Sequence, residues 1–388
     1  MQRIKYLLVL LFLTATINFA QTPDLHFSAL VVDMHADVLE SYLSTGRDVG
    51  HFSRQGMVDL DRLKMGGVDA QFFVLWPDPD QKNERGMYDQ AVRALDTLDA
   101  IIDRNPQRIA LCRTPGQIEK TVAQNKIAAL IALEGGSAIE DDLNKIDYFY
   151  KRGMRYLGLT WNDSPSWASS ALDETTPGWK GHRGLNDFGR RVVRQLNDLG
   201  VLVDVSHSGE QTFYDVLQTS TKPVIASHSS VYAICPHFRN LKDDQIRALA
   251  KNGGVMFINF YPSYLVKGFD RIYQRARKRA TVLQDSLKKV HSAEKFDRAA
   301  YIMSKISGIY PDVKTVVDHI DYVVKLVGDD YVGLGSDFDG IPIAPHGLRD
   351  VSKMPAITTE LLRRGYSETS IKKILGGNFM RVFKAVVR

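Results

Sequence analysis

A chain of 388 residues with 44% hydrophobic and 24% charged residues can bury one large core and has an ordinary globular composition, which excludes disorder as its default. The formal charge of +5 includes Arg3 and Lys5. A processed chain without them would carry about +3, too little to argue for nucleic-acid binding.

The first twenty residues set Arg3 and Lys5 ahead of an apolar run from Tyr6 to Leu13, followed by Phe19-Ala20-Gln21. That order is an n-region, an h-region and a small-residue exit, and predicts a signal peptide over 1–20 with cleavage near Ala20 and an exported, periplasmic or secreted product. The run is too short to span a bilayer, and no later segment reads as transmembrane. Residues 21–388 are expected to form a single domain.

Eight short apolar runs follow, separated by helical or loop-like stretches: 30–33, 68–75, 128–133, 156–160, 201–206, 224–227, 255–259 and 332–336. Such runs are the form taken by parallel strands buried on both faces. Eight of them alternating with helices predict an α/β fold, a (β/α)₈ TIM-type barrel. The helices carry their own signals. After Asn186, residues Phe188, Val192, Val193, Leu196 and Leu199 share one helical face and Gly200 stops it; Asp243 opens a second helix that Gly253-Gly254 ends.

Between the seventh and eighth runs lie more than seventy residues rich in Arg, Lys and Asp, with helical spacing at 272–290 and 313–327. This helical insertion sits on the C-terminal rim of a barrel, as a lid, an oligomer contact or a solvated excursion. Cys112 and Cys235 fall in no metal or redox pattern and read as two buried thiols, although an exported protein would permit a bridge.

The chemistry lies where the runs end. The first leads into His35 and Asp37, the third into Glu134, the fifth into His207, the sixth into His228 and the eighth into Asp337. Active sites of such barrels form at the C-terminal ends of the strands. Three imidazoles and three carboxylates crowded into one mouth call for cations. Ligands without thiolate suit zinc, and also manganese, cobalt or iron. Six candidates are too many for one tetrahedral ion and suit two ions about 3.5 to 4 Å apart. Glu134 is the natural bridge, with His35 and Asp37 on one ion and His207 and His228 on the other.

Eight strings then occur in a distinctive order: Val32-Asp-Met-His35-Ala-Asp37, Leu133-Glu134-Gly-Gly, Val203-Asp-Val-Ser-His207, Ser227-His228-Ser-Ser, Arg239-Asn240, Asn259-Phe-Tyr-Pro-Ser-Tyr264, Gly335-Ser-Asp337-Phe-Asp-Gly and Gly376-Gly-Asn-Phe-Met-Arg381-Val. Over nearly the whole mature chain this resembles the renal (membrane) dipeptidase family. The resemblance implies a binuclear zinc centre, bridged by the glutamate and a water, that hydrolyses dipeptides through a metal-bridging hydroxide. His35, Asp37, Glu134, His207 and His228 stand at the family's ligand positions. Asp337 stands at its acid-base carboxylate, and Arg239 and Tyr264 at its anchor for the terminal carboxylate. Family members often pair as dimers, which implies a homodimer here.

One departure matters. Mammalian-type members carry a His after the fourth strand, thought to contact the tetrahedral intermediate, whereas this chain reads Thr160-Trp161-Asn162. Indole donates one hydrogen bond and carries no proton. Trp161 and Asn162 are therefore expected against the substrate, with His182 as a possible substitute. His26, His51, His237, His291, His319 and His346 end no run and are read as structural or solvated. Two alternatives stay open: a related amidohydrolase acting on a cyclic amide, lactam or lactone, and a catalytically inactive peptide-binding barrel.

Overall fold

The computed structural model describes residues 21–80, 86–289 and 296–387. The expected leader over 1–20, and His291, lie outside them. Among the described residues nine strands run in chain order: β1 (Val32–Ala36), β2 (Ala70–Leu75), β3 (Ile109–Leu111), β4 (Ile127–Glu134), β5 (Met154–Gly158), β6 (Leu202–Asp204), β7 (Ile225–Ser229), β8 (Val255–Ile258) and β9 (Val332–Leu334). All pair in parallel, in the order β1-β2-β4-β5-β6-β7-β8-β9. A bridge between Ala36 and Phe338 closes the ring, with the Asp37 amide donating to the Phe338 carbonyl at 2.9 Å. The expected eight-stranded barrel is present.

The count of eight is corrected by one. β3 pairs only with β4, through Ile109–Leu111 against Ile127–Ala129, and β5 takes over the same flank of β4 from Ile131 onward. It is a three-residue side strand outside the ring, too short to announce itself as an apolar run.

Alternation sorts the strand side chains into two cores. Phe72, Val74, Leu130 and Ala132 belong to the barrel interior, whose lower end is filled by Phe379 and Phe383 of the C-terminal helix Asn378–Val386. Phe73, Leu75, Ile131 and Leu133 face the helical layer instead. Glu134 continues the inward series of Leu130 and Ala132, so pleating alone turns its carboxylate into the barrel.

β1 and β7 break this rule where they must. The β1–β2 register shifts between Asp33 and Ala36, and the β7–β8 register between Ala226 and Ser229. These irregularities flank His35 and His228, re-aiming each ring as bulges commonly do beside active sites.

The helix signals hold. Asn186 Oδ1 accepts from the amides of Phe188 and Gly189 at the start of Asp187–Leu199, and Gly200 ends it at φ 74°. The second helix runs Asp243–Lys251, with its cap at Lys242. Among the described residues the insertion between β8 and β9 holds the two expected helices, Phe269–Lys289 and Val313–Val327, with Arg298–Ile306 between them and the short Pro262–Leu265 ahead of them. Phe269, Tyr273 and Ile306 give it a small core of its own, joined by Ile343 from beyond β9. Cys112 and Cys235 are buried free thiols. Among the described residues no helix is long and apolar enough to cross a membrane.

Candidate metal centre

Glu134 stands at the middle of the mouth with its two oxygens facing different partners. Oε1 lies 3.1 Å from Nε2 of His207 and 3.3 Å from Nε2 of His228. Oε2 lies 3.5 Å from Nε2 of His35, and that nitrogen is also 3.5 Å from Oδ2 of Asp37. Asp337 offers an oxygen within 4.8 Å of ligand atoms on His35 and Asp37. The six residues read from the strand ends therefore meet at one point, although 302 residues separate His35 from Asp337 in the sequence.

Each imidazole is held from behind. Nδ1 of His35 meets the Tyr156 hydroxyl at 2.8 Å, and that hydroxyl donates to the Met34 carbonyl at 3.1 Å. Nδ1 of His228 meets Ser227 Oγ at 2.8 Å, and Ser227 donates to the buried carboxylate of Asp204 at 2.6 Å. Nδ1 of His207 meets Asn162 Oδ1 at 3.1 Å. In all three the partner is left only an acceptor role, so Nδ1 carries the proton and the Nε2 lone pair points into the cage. Histidines that bind metal are oriented in this way.

The cage also has loose ends of the kind a cation satisfies. His35 Nε2, Asp37 Oδ1 and Glu134 Oε1 are buried without a hydrogen-bond partner among the described residues. Buried polar atoms rarely stay unpartnered. The donor set of imidazole and carboxylate fits divalent zinc-like ions. Among the side chains alone, protons are drawn in to balance the charge. Burial and the charge of Asp37 push Asp337 well above the usual carboxylate range. Burial opposes charge on His35, yet Tyr156, Glu134 and Asp37 together hold it well above its ordinary value. Burial and Arg239 push His207 down to about 3.

Backbone strain gathers at the same place. His207 and Asp337 both take φ 63°, and Asp339 takes φ 68°, a region that side chains other than glycine rarely adopt. Gly340 is required here, since a Cβ would collide with the carboxylates of Asp37 and Asp337. Asp339, which the sequence left unassigned, pairs with Arg47 at 2.6 Å and fastens the loop that carries Asp337.

Above the cage opens a cavity of about 650 Å³ whose walls include Trp76, Trp161, Tyr261, Tyr264, Gln274 and Arg277. Trp161 packs against Trp76 with ring centroids 5.0 Å apart. Asn162 lines the cavity as well as holding His207. His182 is exposed and is not among the lining residues. Arg239 lines an adjoining cavity of about 200 Å³ that shares His207. It is buried beneath Tyr264, its Cζ 5.4 Å from that ring's centroid, and it donates from Nη2 to the His228 carbonyl at 3.1 Å. Its Nε and Nη1 have no partner among the described residues, leaving a buried cation with no anion among them.

The pattern described as "Membrane dipeptidase (Peptidase family M19)" matches residues 19–388. The chain belongs to peptidase family M19. Its similar proteins include Dipeptidase 3 of Rattus norvegicus, 32% identical over 361 residues, 92% of this chain and 65% of that protein. Dipeptidase 3 of Mus musculus is 32% identical over 362 residues, 92% of this chain and 64% of that protein. The chain thus spans just under two thirds of the length of these curated relatives. Among solved structures, the probable dipeptidase PvdM from Pseudomonas aeruginosa is similar at 26% identity with a TM-score of 0.78, covering 95% of this chain and 98% of that one. A metallo peptidase from Rhodobacter sphaeroides, liganded with a phosphinate mimic of the dipeptide L-Ala-D-Ala, matches at 25% identity with a TM-score of 0.74, covering 92% and 99%.

Sequence reading of this M19 chain missed the residues behind the ligands, Tyr156, Asp204 and Ser227. The last two sit inside the strings that carry His207 and His228, so a polar residue within a buried strand was the available signal. Gln274 and Arg277 were missed too; they show that the insertion contributes to the cavity wall.

Proposed function

We propose that this M19 chain is a dipeptidase that uses two zinc ions to hydrolyse the peptide bond of small dipeptides. The observation that carries the reading is the divided carboxylate of Glu134, one oxygen toward His207 and His228 and the other toward His35, whose Nε2 also lies 3.5 Å from Asp37. His35 and Asp37 would hold one ion, His207 and His228 the other, and Glu134 both. When bound, such ions polarise the scissile carbonyl and acidify a water molecule.

The chain's own residues do the rest. Asn259 Nδ2 donates to Asp337 Oδ2 at 2.8 Å and fixes that carboxylate beside Asp37. From there Asp337 takes the proton of the attacking water and passes it to the leaving amine nitrogen, so one water and one peptide bond become a carboxylate and an amine. Arg239 offers its two unpartnered N–H groups to the substrate's terminal carboxylate. Tyr264 covers the guanidinium and keeps that contact dry. Trp161, packed on Trp76, adds aromatic surface to the cavity and stands in for the family histidine as a wall rather than a proton carrier. A phosphinate dipeptide mimic in a structural relative supports a dipeptide as the occupant.

Export under a cleaved 1–20 leader, a single domain over 21–388 and a homodimer belong to the same proposal. N-terminal sequencing of the secreted product and light scattering test them. The activity itself is tested with a panel of L,L and L,D dipeptides beside cyclic amides and lactones, on chelated and zinc-restored protein. Dipeptide hydrolysis lost on chelation and regained with zinc is expected; turnover of ring substrates alone, or full activity after chelation, would overturn the reading.

A further inference from the structure

The charge on the cavity walls is one-sided. Asp37, Glu40, Glu134, Asp337 and Asp339 all line it, whereas Arg277 is the one Lys or Arg among the described lining residues. Arg277 comes from the Phe269–Lys289 helix, which carries seven basic residues against two acidic ones, a surplus as large as the +5 of the whole chain. No described acidic residue pairs with Arg277. Its Cζ lies 5.6 Å from the centroid of the Tyr273 ring. The nearby acid of the same helix, Asp270, is engaged by Ser263 Oγ at 3.4 Å and Gln274 Nε2 at 3.2 Å.

The support beneath this arginine is firm. Tyr273 is buried with Phe269 and Ile306 in the insertion's own core, against which Ile343 packs, and Ile341 and Pro342 just before it line the cavity. The guanidinium is thus carried on a fixed helix while its head stays exposed, a planar fork suited to a carboxylate.

Position along the wall decides which part of a substrate it meets. The continuous segment after β8 supplies Tyr261, Tyr264, Gln274 and Arg277 to the lining. Tyr264 covers Arg239, and the Tyr261 and Tyr264 rings are 4.9 Å apart. This segment is thus the part of the wall that continues from Arg239, the proposed anchor of the terminal carboxylate, to Arg277. We propose that Arg277 binds an anionic side chain on that residue, so that dipeptides ending in Asp or Glu are preferred over their amide counterparts. This rests on the dipeptidase reading above.

The test compares kcat/KM for Ala-Glu and Ala-Gln on the zinc-loaded enzyme and its variants. The wild type is expected to favour Ala-Glu by about three- to tenfold, the range of an exposed charge-assisted contact. That ratio falls to about one in Arg277→Gln and inverts in Arg277→Glu. Arg275→Gln and Lys278→Gln, on the same helix but outside the cavity lining, keep the wild-type ratio and separate a local contact from the general field of the basic helix. A ratio unmoved in Arg277→Glu, or moved equally by Arg275→Gln, would overturn the proposal while leaving the dipeptidase reading intact. Failure of the loaded wild type to cleave either peptide would overturn both.

Discussion

The Tyr156 hydroxyl meets Nδ1 of His35 at 2.8 Å, inside the barrel and 121 residues away along the chain. Because that hydroxyl spends its own proton on the Met34 carbonyl, it fixes the tautomer of His35 with Nε2 free. Tyr156→Phe keeps the ring and removes this control. Zinc affinity is expected to fall about ten- to a hundredfold, with far-ultraviolet dichroism unchanged. Competition against a chromogenic chelator reads the affinity; an unaltered value would remove Tyr156 from the account.

Arg239 is buried with two donors unpartnered among the described residues, so its charge is held at the expense of stability, as the proposed substrate anchor requires. Arg239→Met is expected to leave the thermal midpoint equal or higher. The same variant should cut kcat/KM for free dipeptides by about a hundredfold and abolish the discrimination against dipeptides amidated at the C-terminus. A large fall in midpoint with discrimination preserved would mean that the arginine is structural.

Asp337 lies close enough to His35 and Asp37 to be a ligand, yet the proposal gives it the proton. Asp337→Asn separates the two roles. As a proton carrier its loss lowers kcat about 10²- to 10⁴-fold while the metal content of the protein is unchanged. Loss of one ion from Asp337→Asn, measured by atomic emission, would reassign it.

Away from the site, His319 accepts the Val231 amide at 3.0 Å and meets the Leu265 carbonyl at 3.1 Å, and burial pushes it down to about 4. Its folded value lies below the unfolded value of about 6.5. Between the two, the unfolded chain binds more protons and stability rises with pH. The contribution is complete above about pH 6.5 and disappears as pH falls toward 4. Buried His26 shifts in the same direction. Urea midpoints at pH 4.5 and 7 should differ less in His319→Gln, which can keep both hydrogen bonds but cannot titrate; an identical difference would contradict this.

What the amino-acid order revealed follows from how each feature is encoded. Parallel strands buried on both faces write themselves as unbroken apolar runs, so the ring of eight was legible, and so were the polar residues that interrupt it at Glu134, His207 and Asp337. Edges were less legible: the first run was read as ending at Asp33, but β1 continues to Ala36 and carries His35 within it. Tyr156 was invisible as a partner because its hydrogen bond to His35, 121 residues away, depends on how the strands are arranged around the ring. The reach of Arg277 depends on how the insertion folds back, which no local period encodes.

The central claim is that one glutamate joins two cations between two pairs of ligands. Metal content per chain, measured on wild type and on Glu134→Gln after equilibration with zinc and desalting, tests it most directly. Two ions per wild-type chain, with no more than one retained by the variant and dipeptide hydrolysis lost, is the predicted result. A wild-type chain that holds a single ion, or a variant that keeps two, would contradict it.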